Sequence, residues 1–482
     1  MLYWPSASGR ILSANRRAAL VWGGDTRSIS GLAVRFSNAL PILYLAWAMP
    51  FLVILAWLTP PFQNPDEAEH YLRAVQIARG EVFAFRLAGP TGESSPNSGG
   101  HSDPGIVAAN TLFSHLPFQP QLRVHKANYD IAELITFGKD DVIGFGNTAI
   151  YPPFLYIPDI FGIWFGELVS GKVITSLYLS RSANAVVALT ISTLALLVAR
   201  RTRSAIAALA MLPMTSALCV SASQDALIIS LCLLVVGMVD RAGTEQRPAS
   251  LGELVVIGIA AALVCMARPP YAVIALLPLA IRKRSSRREL LATLGISACT
   301  LVWVVYSMKT ASVPMHGADT PLQLRHLLHN PWAILPLAWH TMSGFGIGYI
   351  REFIGVLGWL DTPLPRWFML AASAALGAGV LGVCASPSGP RPWLPVLVVI
   401  LGSVAIFGAQ YLTWTHPGAP FVDGVQGRYF IPLAAVLTLS LPAAPKFIRP
   451  KLPWLSMAGI VFLANLAPAI VLRAIVLRYY LV

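Results

Sequence analysis

The sequence predicts an all-α polytopic membrane protein with about 11 transmembrane helices, within roughly 10–13, and a large first outer loop. Three observations carry this expectation. Apolar residues make up 56% of the 482-residue chain and charged residues 12%, about half the charged share of a soluble domain. Apolar runs of about 20 residues, the length that spans hydrocarbon, recur between positions 40 and 471. The net charge of +13 gathers between alternate runs, a pattern of membrane topology rather than of nucleic-acid binding.

The expected crossings are 39–59, 175–199, 204–220, 225–240, 251–267, 270–281, 290–308, 367–385, 392–412, 429–444 and 453–472. Residues 1–38 precede the first as a basic arm carrying Arg10, Arg16, Arg17, Arg27 and Arg35. No small-residue cleavage site follows the first run, so that helix reads as uncleaved. With the amino terminus in the cytoplasm, the basic stretches 200–203, 241–247, 282–288 and 446–451 all fall inside. The inner side then carries 19 Lys/Arg against 5 Asp/Glu, and the outer side 16 against 17. The short loops obey the positive-inside rule, and their basic excess suits phospholipid contact. All nine histidines fall outside. Residues 39–482 therefore form one integral membrane unit, with 60–175 and 309–366 as long outer loops.

In the first outer loop, Asn64-Pro65-Asp66-Glu67 reads as a helix start: Asn as N-cap, Pro in the first turn, Glu closing a capping box. Ala68, Tyr71, Leu72, Val75 and Ala78 then recur at helical spacing until Gly80. Asp66, His70 and Arg73 share the opposite face, so an interfacial helix with its polar side toward water is expected. The Gly-, Ser-, Pro- and Asn-rich stretch 81–149 is expected to be irregular. Tyr151-Pro152-Pro153 opens an apolar segment that ends near Val169. A crossing there would turn every later basic loop outward, so a half-inserted helix is expected. Residues 331–348 are placed on the outer surface by the same reasoning.

Ionisable groups beside hydrocarbon are expensive, which makes the Asp66-Glu67 pair a functional-site candidate. Helix chemistry is the competing reading, since first-turn acids complement the helix dipole. A metal on Glu67 and His70 would have two ligands. Arg268, before Pro269-Pro270-Tyr271, suits forked recognition of a phosphate headgroup or snorkelling to phospholipid. Gln426-Gly427-Arg428-Tyr429 offers similar donors, with Gly427 permitting close backbone approach. Asp225 reads as the N-cap of the fourth span, and Trp359 and Asp361 in 355–363 as an interface anchor and a cap. The five cysteines lie in expected spans as apolar packing residues and form no disulfide or metal pattern. No nucleotide-binding loop, serine-hydrolase elbow or zinc spacing is present.

In order along the chain, Pro61 to Tyr71 (Pro-x-x-x-Pro-Asp-Glu-x-x-His-Tyr), Tyr151 to Pro158, Arg268 to Tyr271, Gly355 to Pro363 and Gln426 to Pro432 resemble a bacterial membrane-protein family. That family is domain of unknown function 2142, and the resemblance covers the chain from residue 39 onward. It looks like part of the C-type glycosyltransferase (GT-C) superfamily. The resemblance implies transfer of a sugar from a polyprenyl-phosphate donor to an envelope polysaccharide or lipid-linked acceptor, outside the cytoplasmic membrane and with inversion. It gives Asp66 the catalytic-carboxylate position, with Glu67 beside it. His70, Arg73, Tyr151, Arg268, Tyr271, Gln426, Arg428 and Tyr429 become donor-binding candidates. No cofactor is expected, with a divalent metal left open; the expected partners are membrane lipids, the lipid-linked sugar and the glycan acceptor. The competing class is a transporter or flippase of a lipid-linked precursor. Such carriers place ionisable groups at mid-membrane depth, and the expected span interiors carry few.

Overall fold

The computed structural model describes residues 26–88, 94–281, 286–386 and 391–481. The basic residues Arg10, Arg16 and Arg17 of the expected arm, and Arg282, Lys283 and Arg284 of the third basic stretch, lie outside these. Helix α1 (Thr26–Leu58) begins well before the expected crossing at residue 39, so the arm's last third is helical. A loop domain follows: α2 (Glu67–Ala78), β1 (Phe85–Ala88), β2 (Ser94–Ser102), α3 (Pro104–Thr111), α4 (Lys126–Ala132), β3 (Asp141–Gly144) and α5 (Ile157–Val169). The bundle then continues through α6 (Val173–Val198), α7 (Arg203–Ala210), α8 (Pro213–Cys219), α9 (Asp225–Thr244) and α10 (Leu251–Ala267). After a 3-10 segment, Pro269–Ala280, come α11 (Arg287–Thr310), α12 (Thr320–His329), α13 (Ile334–Gly355), α14 (Arg366–Leu381), α15 (Trp393–Thr413), α16 (Ile431–Leu437) and α17 (Leu452–Tyr479).

The protein is mostly helical, and among the described residues seven helices are long and apolar enough to cross a membrane. They account for the expected crossings that begin at 39, 175, 225, 290, 367, 392 and 453. Of the other four, 251–267 is a single α-helix with the expected bounds, and three depart from one continuous α-helix. The run 204–220 is split into α7 and α8 at Pro213. Proline lacks an N–H and crowds the carbonyl four residues back; here that carbonyl, of Leu209, accepts the Thr215 hydroxyl at 2.8 Å. The run 270–281 winds as a 3-10 helix of 12 residues with Pro269, Pro270 and Pro278 in it. Its rise of about 2.0 Å per residue stretches a short segment further than an α-helix would. The run 251–267 forms 17 residues of α-helix. The run 429–444 is built from Gly427–Phe430, α16 and Thr438–Ser440.

One loop expectation changes. The stretch 81–149 contains a three-stranded antiparallel sheet in the order β1-β2-β3. Gly99 is one reason it pairs: a Cβ there would lie 1.9 Å from the Ile143 carbonyl oxygen. Residues 331–348, expected on the surface and not as a crossing, belong mainly to the 22-residue α13, which is largely exposed and is not among the seven span-length apolar helices. By contrast α5, at 13 residues, is about 20 Å long and shorter than the hydrocarbon core. Gly162 and Gly166 let α5 press on α6, since Cβ atoms there would meet Ser180 and Ser176 at 2.4 and 2.1 Å. Its other face leaves Phe161, Trp164, Phe165 and Leu168 exposed. Of the cysteines, Cys299 is exposed on α11 rather than packed inside; the other four are buried.

The polar ends of the bundle are distinct. Asp240, at the far end of α9 from Asp225, accepts the backbone N–H groups of Arg200, Arg201 and Thr202 at 2.8–3.0 Å. Arg203 donates to the Ser37 carbonyl at 3.2 Å, and Arg201 to the carbonyls of Leu439 and Leu441. The basic turns thus gather at one end. Residues 59–66, which follow the opposite end of α1, lie at the other.

Candidate functional site

The site begins at a left-handed residue. Helix α2 starts at Glu67, and Asp66 is its N-cap at φ 58°, ψ 12°, with a side chain that makes no capping bond. Asx residues tolerate this region better than most, yet it remains a sparsely populated conformation found at functional turns. The expected capping box does not form: Asn64 instead donates its amide to Glu67 Oε1 at 3.1 Å. The kink sends the two neighbouring carboxylates in different directions.

Glu67 turns inward. Its oxygens receive Arg181 Nε at 2.8 Å and Nη2 at 2.6 Å, and the Ala222 N–H at 3.0 Å. Arg181 places its remaining donors on the carbonyls of Ala56, Thr59 and Pro60. All five guanidinium N–H groups are therefore used, and both side chains are fully buried. The expected catalytic role of Glu67 gives way to a clasp that ties α2 to α6 and to the unwound stretch 220–224.

Asp66 turns toward a cleft and meets Arg428, Oδ2 to Nη2 at 2.8 Å. Arg428 also reaches Asp225 at 3.1 Å and Gln426 Oε1 at 2.6 Å. Asp225 was expected as a helix cap, but Gln224 holds that position. Asp225 instead bridges two arginines, taking Arg268 Nη2 on its other oxygen at 2.6 Å. The Arg268 guanidinium lies 4.3 Å from the Tyr429 ring centre and that of Arg428 5.6 Å. Tyr271 fixes this ring by donating to the Tyr429 carbonyl at 2.7 Å. The result is a chain Asp66–Arg428–Asp225–Arg268, with two charges of each sign. Side-chain exposure falls from 27% at Asp66 to 7% at Asp225 and 3% at Arg428. Asp66 is the open end, lining a cleft of about 170 Å³ with Asn147, Tyr151, Gln410, Gln426 and Tyr429.

The expected water-facing side of α2 is in fact buried. His70 pairs Nδ1 with the Tyr156 hydroxyl at 2.7 Å and stacks on Tyr151, ring centres 5.6 Å apart. Burial lowers its pKa to about 4, with Asp225 and Asp66 opposing and the two arginines reinforcing. The imidazole is neutral at pH 7. Arg73 leaves the site altogether: it is buried and donates to Gln76 and to the carbonyls of Val82 and Tyr151. It positions the Tyr151 main chain, not a substrate.

Glu69 is a carboxyl that the pattern did not single out. Its Oε2 accepts the N–H of Asn147, a cleft residue, at 3.0 Å. Burial raises its pKa to about 7; Asp66 adds to the shift and the Asn147 amide opposes it. Among the described residues no group of three or more His, Cys, Asp or Glu side chains could hold a metal ion. The Glu67–His70 pair is already engaged by Arg181 and Tyr156. The segment 355–363 is a small hairpin, β4 (Val356–Leu357) with β5 (Thr362–Pro363). Its Asp361 accepts Arg478 Nη2 at 3.0 Å and the Phe118 N–H at 2.9 Å, and Trp359 donates to the Phe62 carbonyl at 2.9 Å. Both tie the loop domain to the bundle.

The raised carboxyl and lowered imidazole make opposite demands on pH. Glu69, at about 7 when folded against 4.5, gives stability that is full below 4.5 and is lost as pH rises through 7. His70, at about 4 against 6.5, gives stability that is full above 6.5 and is lost as pH falls through 4. The slopes oppose between these windows, so above pH 6.5 Glu69 acts alone. The melting temperature of the wild type is expected to fall from pH 6.5 to 8, and that of Glu69→Gln to lack this fall. Equal slopes in differential scanning fluorimetry would remove Glu69 as the titrating group.

A family model described as "Predicted membrane protein (DUF2142)" matches residues 49–437, a range that holds every member of the charged chain. No curated protein matches, and no solved structure does.

Proposed function

The chain belongs to the DUF2142 family of predicted membrane proteins, and from that premise we propose that it is a glycosyltransferase of the GT-C type with 11 crossings. It moves a sugar from a polyprenyl-phosphate donor to an envelope glycan or lipid-linked acceptor on the periplasmic side of a bacterial cytoplasmic membrane. One observation carries the reading: at one end of an apolar bundle, a partly exposed carboxylate that lines a cleft is ion-paired to Arg428 and, through Asp225, linked to Arg268 behind it. Such a pairing provides a proton acceptor and charge stabilisation within one site.

In the transfer step, Asp66 takes the proton of the acceptor hydroxyl. The hydroxyl oxygen bonds to the anomeric carbon as the bond from that carbon to the phosphate oxygen breaks. The leaving polyprenyl phosphate keeps the electron pair, and Arg428 and Arg268 neutralise its charge. In the free protein Arg428 is shared between Asp66 and Asp225. A donor phosphate that takes an Arg428 N–H displaces Asp66 and leaves its oxygen open to the acceptor. Donor is thus expected to bind first.

Purified protein and defined polyprenyl-phosphate sugars test this reading by product formation. Arg268→Lys and Arg428→Lys keep the charge but lose the planar fork. Both variants are expected to fold, yet to bind and turn over the donor markedly less well than wild type. Unchanged donor affinity and rate in both would take the arginines out of the site. Orientation has its own test: reporters after Arg203 and Arg247 are expected to read cytoplasmic, and one after Gly100 periplasmic. A periplasmic signal after Arg203 would overturn the topology.

The split α7–α8 and unwound 220–224 support one second reading, because discontinuous helices also form carrier sites. A flippase would move a lipid-linked precursor between leaflets of a proteoliposome without forming a new glycosidic bond.

A further inference from the structure

Beside the Asp66 cleft lies a second hollow of about 250 Å³, lined by Phe345, Gly348, Tyr349 and Glu352 of α13 and by Val422 and Asp423. Gly424 and Gln426 line both spaces, which adjoin there. Two glycines allow the backbone to pack closely here. Gly424 has φ +75°, and a Cβ on it would lie 2.3 Å from the Trp414 ring. At Gly427 a Cβ would lie 2.0 Å from the Tyr349 carbonyl oxygen, while its N–H donates to Glu352 Oε2 at 2.6 Å. The turn that holds Arg428 against Asp66 is thus held from behind by Glu352.

The lining selects a ligand class. Glu352 and Asp423 are acceptors suited to hydroxyl donors, and their like charges repel a uronate or phosphate. Phe345 and Tyr349 lie with ring centres 6.4 Å apart at 27°, an apolar ledge for the C–H face of a ring. Phe407 packs against Tyr349 edge-on at 6.0 Å and fixes it. The geometry points to this hollow as the acceptor subsite, taking an uncharged, polyhydroxylated sugar whose attacking hydroxyl reaches past Gly424 and Gln426, where the two spaces adjoin, to Asp66. This inference rests on the transferase reading. It adds that the acceptor end is a neutral glycan.

Gly348 supplies the test, because it lines the hollow and a Cβ there meets nothing within 4 Å, so Gly348→Trp can start a bulky side chain into that space. Full-length protein in detergent is examined by saturation-transfer NMR against neutral hexose and N-acetylhexosamine oligosaccharides and against uronate-bearing ones. Undecaprenyl phosphate binding is measured in parallel. Wild type is expected to bind neutral oligosaccharides and not anionic ones. Gly348→Trp is expected to lose that binding and to keep wild-type affinity for undecaprenyl phosphate. Glu352→Gln is expected to admit the uronate compounds. No binding of neutral sugars, equal binding of both classes, or unaltered binding in Gly348→Trp would each overturn the inference. Neutral-glycan binding without any sugar transfer would support the subsite and remove the transferase. Transfer with an unchanged acceptor KM in Gly348→Trp would do the reverse.

Discussion

Asp66→Asn is expected to abolish sugar transfer while leaving the melting temperature close to wild type. Asparagine tolerates the left-handed conformation that residue 66 adopts, and its amide oxygen can still accept from Arg428. What it cannot do is take a proton. Loss of a general base costs about 10²–10⁴ in rate, and the partly exposed Asp66–Arg428 pair has little stability to lose. The same substitution replaces a charged competitor for Arg428 with a neutral one, so undecaprenyl phosphate is expected to bind the variant more tightly than wild type. A rate within about tenfold of wild type, below the lower bound for a general base, would rule out the base assignment. Weaker phosphate binding would rule out the competition.

Glu67→Gln, one residue away, is expected to do the opposite: the fold suffers first. From spacing alone a mild effect is expected, since Glu67 looks like half of a capping box. Its fully buried pairing with Arg181 reverses that expectation. Removing one partner of a buried pair leaves an uncompensated charge and costs about 3–5 kcal/mol. Reduced yield and a clearly lower melting temperature are expected, with Arg181→Lys failing as well because one ammonium cannot replace five forked donors. A Glu67→Gln variant that melts like wild type but has lost transfer would return Glu67 to the catalytic group.

These two residues show what was legible. Hydropathy locates apolar mass, so the seven long helices stand out; it is blind to continuity, so the break at Pro213 and the 3-10 course after Pro269 do not. Arg268 and Arg428 stand out because a charge beside an apolar run has few bland explanations. Asp225 passes for a helix cap, because its true partners, Arg268 and Arg428, are 43 and 203 positions away. Glu69 is hidden by its more conspicuous neighbours, and only the N–H of Asn147 gives it a place. The polar face of α2 is correctly grouped but turned the wrong way. Local periodicity identifies a face without saying what will cover it, and here the cover is Tyr151, Tyr156 and the bundle itself.

The charged chain also sets a schedule for biogenesis. Asp66 and Arg428 are separated by 362 positions and Glu67 and Arg181 by 114, so ribosomal synthesis supplies the parts in a fixed order. The acidic turn leaves the ribosome first and must wait for α6 before Glu67 is neutralised. It must wait again, until most of the protein has been inserted, before Arg428 arrives. A nascent or prematurely terminated product therefore carries the acidic turn without its arginine. The charged chain therefore closes only once most of the protein has been made.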